Sequence, residues 1–221
     1  MPILTSRRGN NAETIADIAT IHFPKNPLVL DLTFGRGAFW KKFRPKRLVC
    51  ADRLPLPGVQ LVLDATKSLP FPEFPNSIFD VVVIDPPYLR GVGTGRSQIH
   101  PKLNERYQNN ALTSIPRSHA KGQWWRMMSG YFAMMQNASM VVKKGGLILV
   151  KGMDESEHWF IREVMIPTNL KLISIHVVTT TSQPMMRHTF QLHARKNHSY
   201  FLVLRRTGQK TLECNPRTFK K

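Results

Sequence analysis

The sequence predicts an α/β protein built on a mostly parallel sheet, and three observations carry that expectation. Four short apolar runs, "LVLD", "RLVCAD", "VQLVLD" and "FDVVVID", each end in an aspartate. The runs show no polar alternation, which is the pattern of strands covered on both faces, and such strands belong mostly to parallel sheets with helices packed above and below. The chain closes on two β-rich runs, "LKLISIHVVTT" and "HSYFLVLRR", whose basic connection from Ser182 to Asn197 reads as the loop of an antiparallel pair. The length of 221 residues, with 42% hydrophobic residues, suits one domain spanning residues 1–221.

The elements follow in order. Asn11 can cap a helix in which Ile15, Ile18, Ala19 and His22 recur at i, i+3, i+4 and i+7, with His22 a helix-face residue. Pro24 and Pro27 end it, and "LVLDL" follows as a buried strand. The turn "TFGRG" leads to a short helix, "AFWKKF", stopped by Pro45. After the next three strands, Leu89 to Gln123 has no clear period and reads as a functional loop or lid, its "GVGTG" a flexible hinge rather than a phosphate cradle. A long helix from about Trp124 to Val142 carries Trp124, Met127, Met128, Tyr131, Met134, Met135 and Ala138 at helical spacing, methionines that fill a core. "KKGG" ends that helix, "LILVK" is a fifth strand, and "ESEHWFIREVM" reads as another amphipathic helix.

Charge narrows the partners. Lys and Arg number 32 against 14 Asp and Glu, a net charge of +18 that no fold requires and that costs stability through self-repulsion. The excess is concentrated in a basic insertion at 89–123 (Arg90, Arg96, Lys102, Arg106, Arg117 and Lys121 against Glu105) and a basic tail at 205–221 (Arg206, Lys210, Arg217, Lys220 and Lys221 against Glu213). A nucleic-acid partner is expected, because neutralising phosphates releases counterions. A basic surface kept for solubility fits that magnitude less well, and a membrane surface less again, since no basic amphipathic helix stands out. Two cysteines, Cys50 and Cys214, point to a reducing compartment, and the N-terminus has no apolar signal core, so a cytoplasmic protein is expected. His188, His193 and His198 recur every five residues, a spacing that fits neither a helix face nor common zinc ligands. They read as solvated or phosphate-facing, and no metal is expected.

In an open parallel sheet ligands bind outside the carboxyl ends of the strands, so Asp31, Asp52, Asp64 and Asp85 are expected on one rim. Strand-end acids that cap turns explain any one of these, and four together poorly. "VLDLTFGRG", "VCAD", "LVLDA" and "VVVIDPPY", in that order, resemble the S-adenosylmethionine-dependent methyltransferases that modify exocyclic amino groups of nucleobases: the N6-adenine and N4-cytosine DNA methyltransferases and their RNA-directed relatives. The resemblance runs from about Leu28 to the last two strands. It implies a Rossmann-like seven-stranded sheet, mostly parallel with a C-terminal antiparallel hairpin, and S-adenosyl-L-methionine as cofactor. It also implies cofactor-binding roles for Asp31, Thr33, Phe34, Gly35, Gly37, Asp52 and Asp64: Asp31 beneath the cationic amino-acid end, Asp52 on the ribose hydroxyls, Asp64 on the adenine amino group. Gly35 and Gly37 let the backbone turn sharply and approach a ligand closely.

The tetrapeptide Asp85, Pro86, Pro87 and Tyr88 is the expected catalytic element. An exocyclic amine is a poor nucleophile because its lone pair is delocalised into the ring, so the site needs acceptors for its N–H bonds as the methyl arrives. The Asp85 carboxylate and the Pro86 carbonyl are those acceptors, consecutive prolines stiffen the loop, and Tyr88 offers a ring for an extruded base. Neither cysteine follows a proline, which argues against carbon-5 cytosine chemistry. Only residues 38–84 separate the two motifs, leaving no room there for a large target-recognition domain. DNA adenine N6 is the first expectation, with N4-cytosine and RNA bases next; "TFGRG" also resembles glycine turns of ribosomal RNA methyltransferases. A non-catalytic nucleic-acid-binding subunit is the alternative of another class. Protein glutamine methylation, which usually has Asn in first position of the tetrapeptide, fits neither Asp85 nor the charge.

Overall fold

In a computed structural model, residues 3–86, 120–154, 158–179 and 198–208 are described. Their strands are β1 (Ser6–Arg8), β2 (Leu28–Asp31), β3 (Arg47–Asp52), β4 (Leu61–Val62), β5 (Phe79–Ile84), β6 (Val142–Gly152), β7 (Leu170–Thr179) and β8 (His198–Arg206). The helices are α1 (Asn11–His22), a 3-10 turn at Ala38–Lys41, α2 (Ala120–Val141) and α3 (Phe160–Glu163). They form one eight-stranded sheet in the order β1-β7-β8-β6-β5-β2-β3-β4, in which only β8 runs antiparallel to its neighbours. This is the Rossmann-like architecture expected, with one strand more than seven. The addition is β1, three residues that pair with β7 and form the edge of the sheet; "SRR" carries no apolar signal of its own.

The strands read as unbroken apolar runs because both faces are covered. Along β5, Val82 and Ile84 join Leu30, Ile148, Val150 and the α2 residues Trp124, Met128, Tyr131, Met135 and Ala138 in one core. The alternating Val81 and Val83 join Val29, Leu147, Leu149, Phe201, Val203 and the α1 residues Ile15 and Ile18 in the other. The methionines of α2 are core, as their spacing predicts.

Several local expectations shift. The helix cap is Asn10, not Asn11: its side chain accepts the Glu13 N–H at 3.1 Å while Glu13 reaches back, a reciprocal pair that one-residue-earlier capping permits. "VQLVLD" yields only the two-residue β4, and of "ESEHWFIREVM", whose residues 155–157 lie outside the described ones, only Phe160–Glu163 is helical among the described residues, since the Phe160 N–H bonds the Asp154 carboxylate and Val164 is already extended. Arg206, counted above with the basic tail, is 2% exposed; its Nε donates to the Ser139 carbonyl at 2.8 Å and its guanidinium lies 4.7 Å from the Phe74 ring centre. It is a core residue and cannot meet phosphate. No helix among the described residues is long and apolar enough to cross a membrane. Most of the 89–123 insertion, the 182–197 loop and the tail beyond 208 lie outside the described residues.

Candidate active site

Because β2, β3, β4 and β5 are mutually parallel, their carboxyl ends share one edge, and Asp31, Asp52, Asp64 and Asp85 stand along it. Hydrogen bonds through the glycine turn connect three of them. Asp31 accepts the Thr33 N–H at 3.0 Å and the indole N–H of Trp40 at 2.7 Å. Thr33 in turn accepts the Asp85 backbone N–H on its hydroxyl at 2.6 Å, which ties the turn to the Asp-Pro loop. Asp52 accepts the Gly35 N–H at 2.7 Å and the Leu54 N–H at 3.0 Å. Asp64 stands further along the edge and accepts both the hydroxyl and the N–H of Thr66, at 2.7 and 3.0 Å.

The two glycines of the turn have different jobs. Both have positive φ, +57° at Gly35 and +69° at Gly37. A Cβ at Gly37 would stand 2.7 Å from the Phe34 ring, so Gly37 makes room for a side chain of the turn itself. Among the described residues the nearest atom to a Cβ at Gly35 would be the Thr33 carbonyl oxygen at 3.9 Å, an ordinary contact, so no described side chain crowds that backbone. Phe34, placed with the cofactor residues above, is 7% exposed and packs its ring against Gly37 and Gly58. Its side chain shapes the turn from within.

Electrostatics single out two acids. Burial pushes the Asp31 carboxyl up to about 7, and the neighbouring Asp85 and Asp52 charges push the same way against the two N–H donors. Burial likewise raises Asp85 to about 6, opposed by Lys151, whose ammonium lies 3.2 Å from Asp85 Oδ1 and whose side chain is 8% exposed. Asp64 behaves oppositely: burial raises it, but the Thr66 donors, Arg53 and Lys67 outweigh burial and hold it below the usual carboxylate value.

Lys151 and Trp40 are the functional candidates that sequence reasoning missed. Lys151 ends the apolar run "LILVK" as the aspartates end theirs, a signal of the same kind with opposite charge. Trp40 is buried in the 3-10 turn, and nothing in "AFWKKF" says its indole reaches back to Asp31. Of the tetrapeptide, Asp85 and Pro86 are described, Pro86 being buried; Pro87 and Tyr88 lie outside the described residues. His198 corrects its expectation: rather than facing solvent or phosphate, its Nε2 lies 3.2 Å from the buried Asp154 carboxylate and 2.9 Å from the Tyr200 hydroxyl. His188 and His193 lie outside the described residues.

Such an edge can bind a cation beside the buried acids, accept hydroxyls at Asp52 and Asp64, and present a carboxylate at Asp85 next to the first two. No model of a known protein family matches the chain, and no curated protein matches it in sequence. Among solved structures, a putative methyltransferase from Escherichia coli is similar at 12% identity, covering 95% of this chain and 92% of that one, with a TM-score of 0.46. TrmN from Thermus thermophilus is similar at 14% identity over 88% of this chain and 48% of its own, TM-score 0.48. The N-methyltransferase NodS from Bradyrhizobium japonicum is similar at 12% identity over 89% and 94%, TM-score 0.45.

Proposed function

We propose that this protein is an S-adenosylmethionine-dependent methyltransferase acting on an exocyclic amino group of a nucleobase, with adenine N6 in DNA as the substrate. The observation that carries the reading is the hydrogen-bonded junction of the glycine turn with the Asp-Pro loop through Thr33 and Asp85. It sets the backbone of Gly35 near a half-buried carboxylate with an adjoining proline carbonyl.

The residues present fit the cofactor. No described side chain crowds the Gly35 backbone, so a ligand can approach it closely. Asp31, held up to about 7 in the free protein by burial and neighbouring acids, is an acid that a nearby cation would relieve. Each Asp52 oxygen accepts one backbone N–H and retains a lone pair for a ribose hydroxyl. Asp64 is oriented by Thr66 to accept an amino group. When bound, S-adenosylmethionine supplies an electrophilic methyl group on a sulfonium.

The chain's own part is positioning and charge. Asp85, kept anionic by Lys151, accepts one N–H of the target amine while the Pro86 carbonyl accepts the other. Both bonds raise the nitrogen's electron density where it attacks. The positive charge that develops on nitrogen is offset by Asp85, which can take the departing proton. A net charge of +18 supports a polyanionic substrate, steered in before any specific contact forms.

Transfer of tritiated methyl groups to unmethylated DNA, ribosomal RNA and protein, followed by nuclease digestion, tests the reading. Label in N6-methyl-2′-deoxyadenosine of DNA is expected, and Asp85→Ala is expected to abolish it. Label only in protein, or Asp85→Ala as active as wild type, overturns the reading. Label in N4-methylcytosine or in RNA would retain the chemistry and move the substrate.

A further inference from the structure

Where the end of β6 meets the start of β8, an open hollow of about 350 Å³ is lined by Asp154, Trp159, Ile161, Arg162 and Tyr200. It adjoins the Asp85 site along the same edge: Tyr200 pairs with Gly152 and Phe201 with Lys151, and Lys151 reaches Asp85. Its back wall is fixed. Asp154, 2% exposed, accepts the Phe160 N–H at 2.7 Å and the Tyr200 hydroxyl at 2.9 Å, with His198 Nε2 at 3.2 Å. Gly152 allows Phe160 to lie flat on β6, since a Cβ there would stand 2.2 Å from that ring. That contact sets the next-door Trp159 at the mouth. The mouth is apolar and cationic, with Trp159 51% exposed, Ile161 37% exposed and Arg162 exposed.

We propose that this cavity is a second nucleobase subsite, which holds the base adjacent to the target in opened or single-stranded DNA by stacking on Trp159, with the intervening phosphate on Arg162. The inference rests on the amino-methyl transfer reading above and extends it to a neighbouring nucleotide. Three features favour this occupant. An exposed indole beside a guanidinium is the pairing that binds single strands, because every base has a π-face and every linkage a charge. The volume suits a single nucleotide and lies at the small end of ligand pockets, roughly 300–1,000 Å³. In a chain of net charge +18, an anionic strand is the complementary partner.

The test uses single-stranded DNA oligonucleotides with one adenine among thymines, intact or with an abasic site on one side of that adenine. Methyl-transfer KM and direct binding by fluorescence anisotropy are both measured. For wild type, removing the stacked neighbour is expected to raise KM roughly 5- to 100-fold, the loss typical of one base–aromatic stack. Trp159→Ala is expected to raise KM similarly on the intact strand and to make the enzyme indifferent to the abasic site, with cofactor affinity unchanged. Arg162→Ala should weaken binding to all strands and reduce the salt dependence by about one ion. If Trp159→Ala keeps its KM within about twofold, or still suffers the full abasic penalty, the subsite is wrong while the methyl-transfer reading stands. If wild type transfers methyl to no polynucleotide, that reading fails and the subsite fails with it.

Discussion

Lys151 Nζ lies 3.2 Å from Asp85 Oδ1 at the joined ends of β6 and β5, where the lysine side chain is 8% exposed. An ammonium shielded from solvent beside a half-buried carboxylate decides which protonation state that carboxylate holds. Burial alone favours the neutral acid; the lysine favours the anion, and the balance leaves Asp85 at about 6.

The pH profile of methyl transfer follows from that balance. Only the carboxylate can both accept the amine N–H and take the departing proton, so kcat/KM is expected to fall as pH drops through about 6. Lys151→Met removes the group that lowers this value, so the acid limb should move to higher pH and the rate at pH 7 should fall about tenfold or more. Lys151→Arg should restore the limb in part. An acid limb unmoved in Lys151→Met would show that the pair does not tune the reaction.

Asp31 predicts a second pH dependence, in stability and in cofactor binding. Its folded value of about 7 exceeds its ordinary 3.8, so between the two the folded chain binds more protons than the unfolded chain. Its contribution is fully present below the lower value and is lost as pH rises through the upper one. Asp31→Asn should flatten that slope in thermal melts of the free protein. A cationic ligand favours the anion, so cofactor affinity should weaken below about pH 7 and binding should release a proton. Calorimetry in buffers of different ionisation enthalpy measures that proton directly.

Gly35 and Gly37 should separate function from folding. Gly37→Ala forces a Cβ to 2.7 Å from the Phe34 ring at φ +69°, and is expected to destabilise the fold by about 1–3 kcal/mol. Gly35→Ala at φ +57° meets no atom of the described residues closer than 3.9 Å, so it should cost about 1 kcal/mol of stability. Its larger effect should be on cofactor affinity, at least tenfold by calorimetry, because its Cβ would occupy the ligand's approach.

Thr33→Val tests the link between the motifs. The hydroxyl that receives the Asp85 N–H at 2.6 Å is replaced by a methyl of similar size, leaving a buried donor unpaired. A cost of about 1–3 kcal/mol is expected in denaturant unfolding. A kcat loss larger than any loss of cofactor affinity would locate the effect at Asp85. Equal losses would place it in the turn as a whole.

The sequence by itself determined the sheet and its acidic edge. Continuous apolar strands ending in Asp31, Asp52 and Asp85 require helices on both faces and a common rim, because strand direction and side-chain alternation leave little else open. It also placed the glycine turn and the core methionines of α2, since both signals are local. Other features depend on which distant segments meet. Edge strand β1 exists only because β7 offers an unpaired ladder, and Arg206 is buried because Phe74 and the Ser139 carbonyl await it. Lys151 and Trp40 became candidate site residues because β6 lies beside β5 and the 3-10 turn folds back under β2. The cavity of Asp154, Trp159 and Tyr200 joins residues more than forty positions apart. A charge or an indole carries no mark in sequence of the partner it will meet; only the packing that excludes water from both decides what that pair is worth.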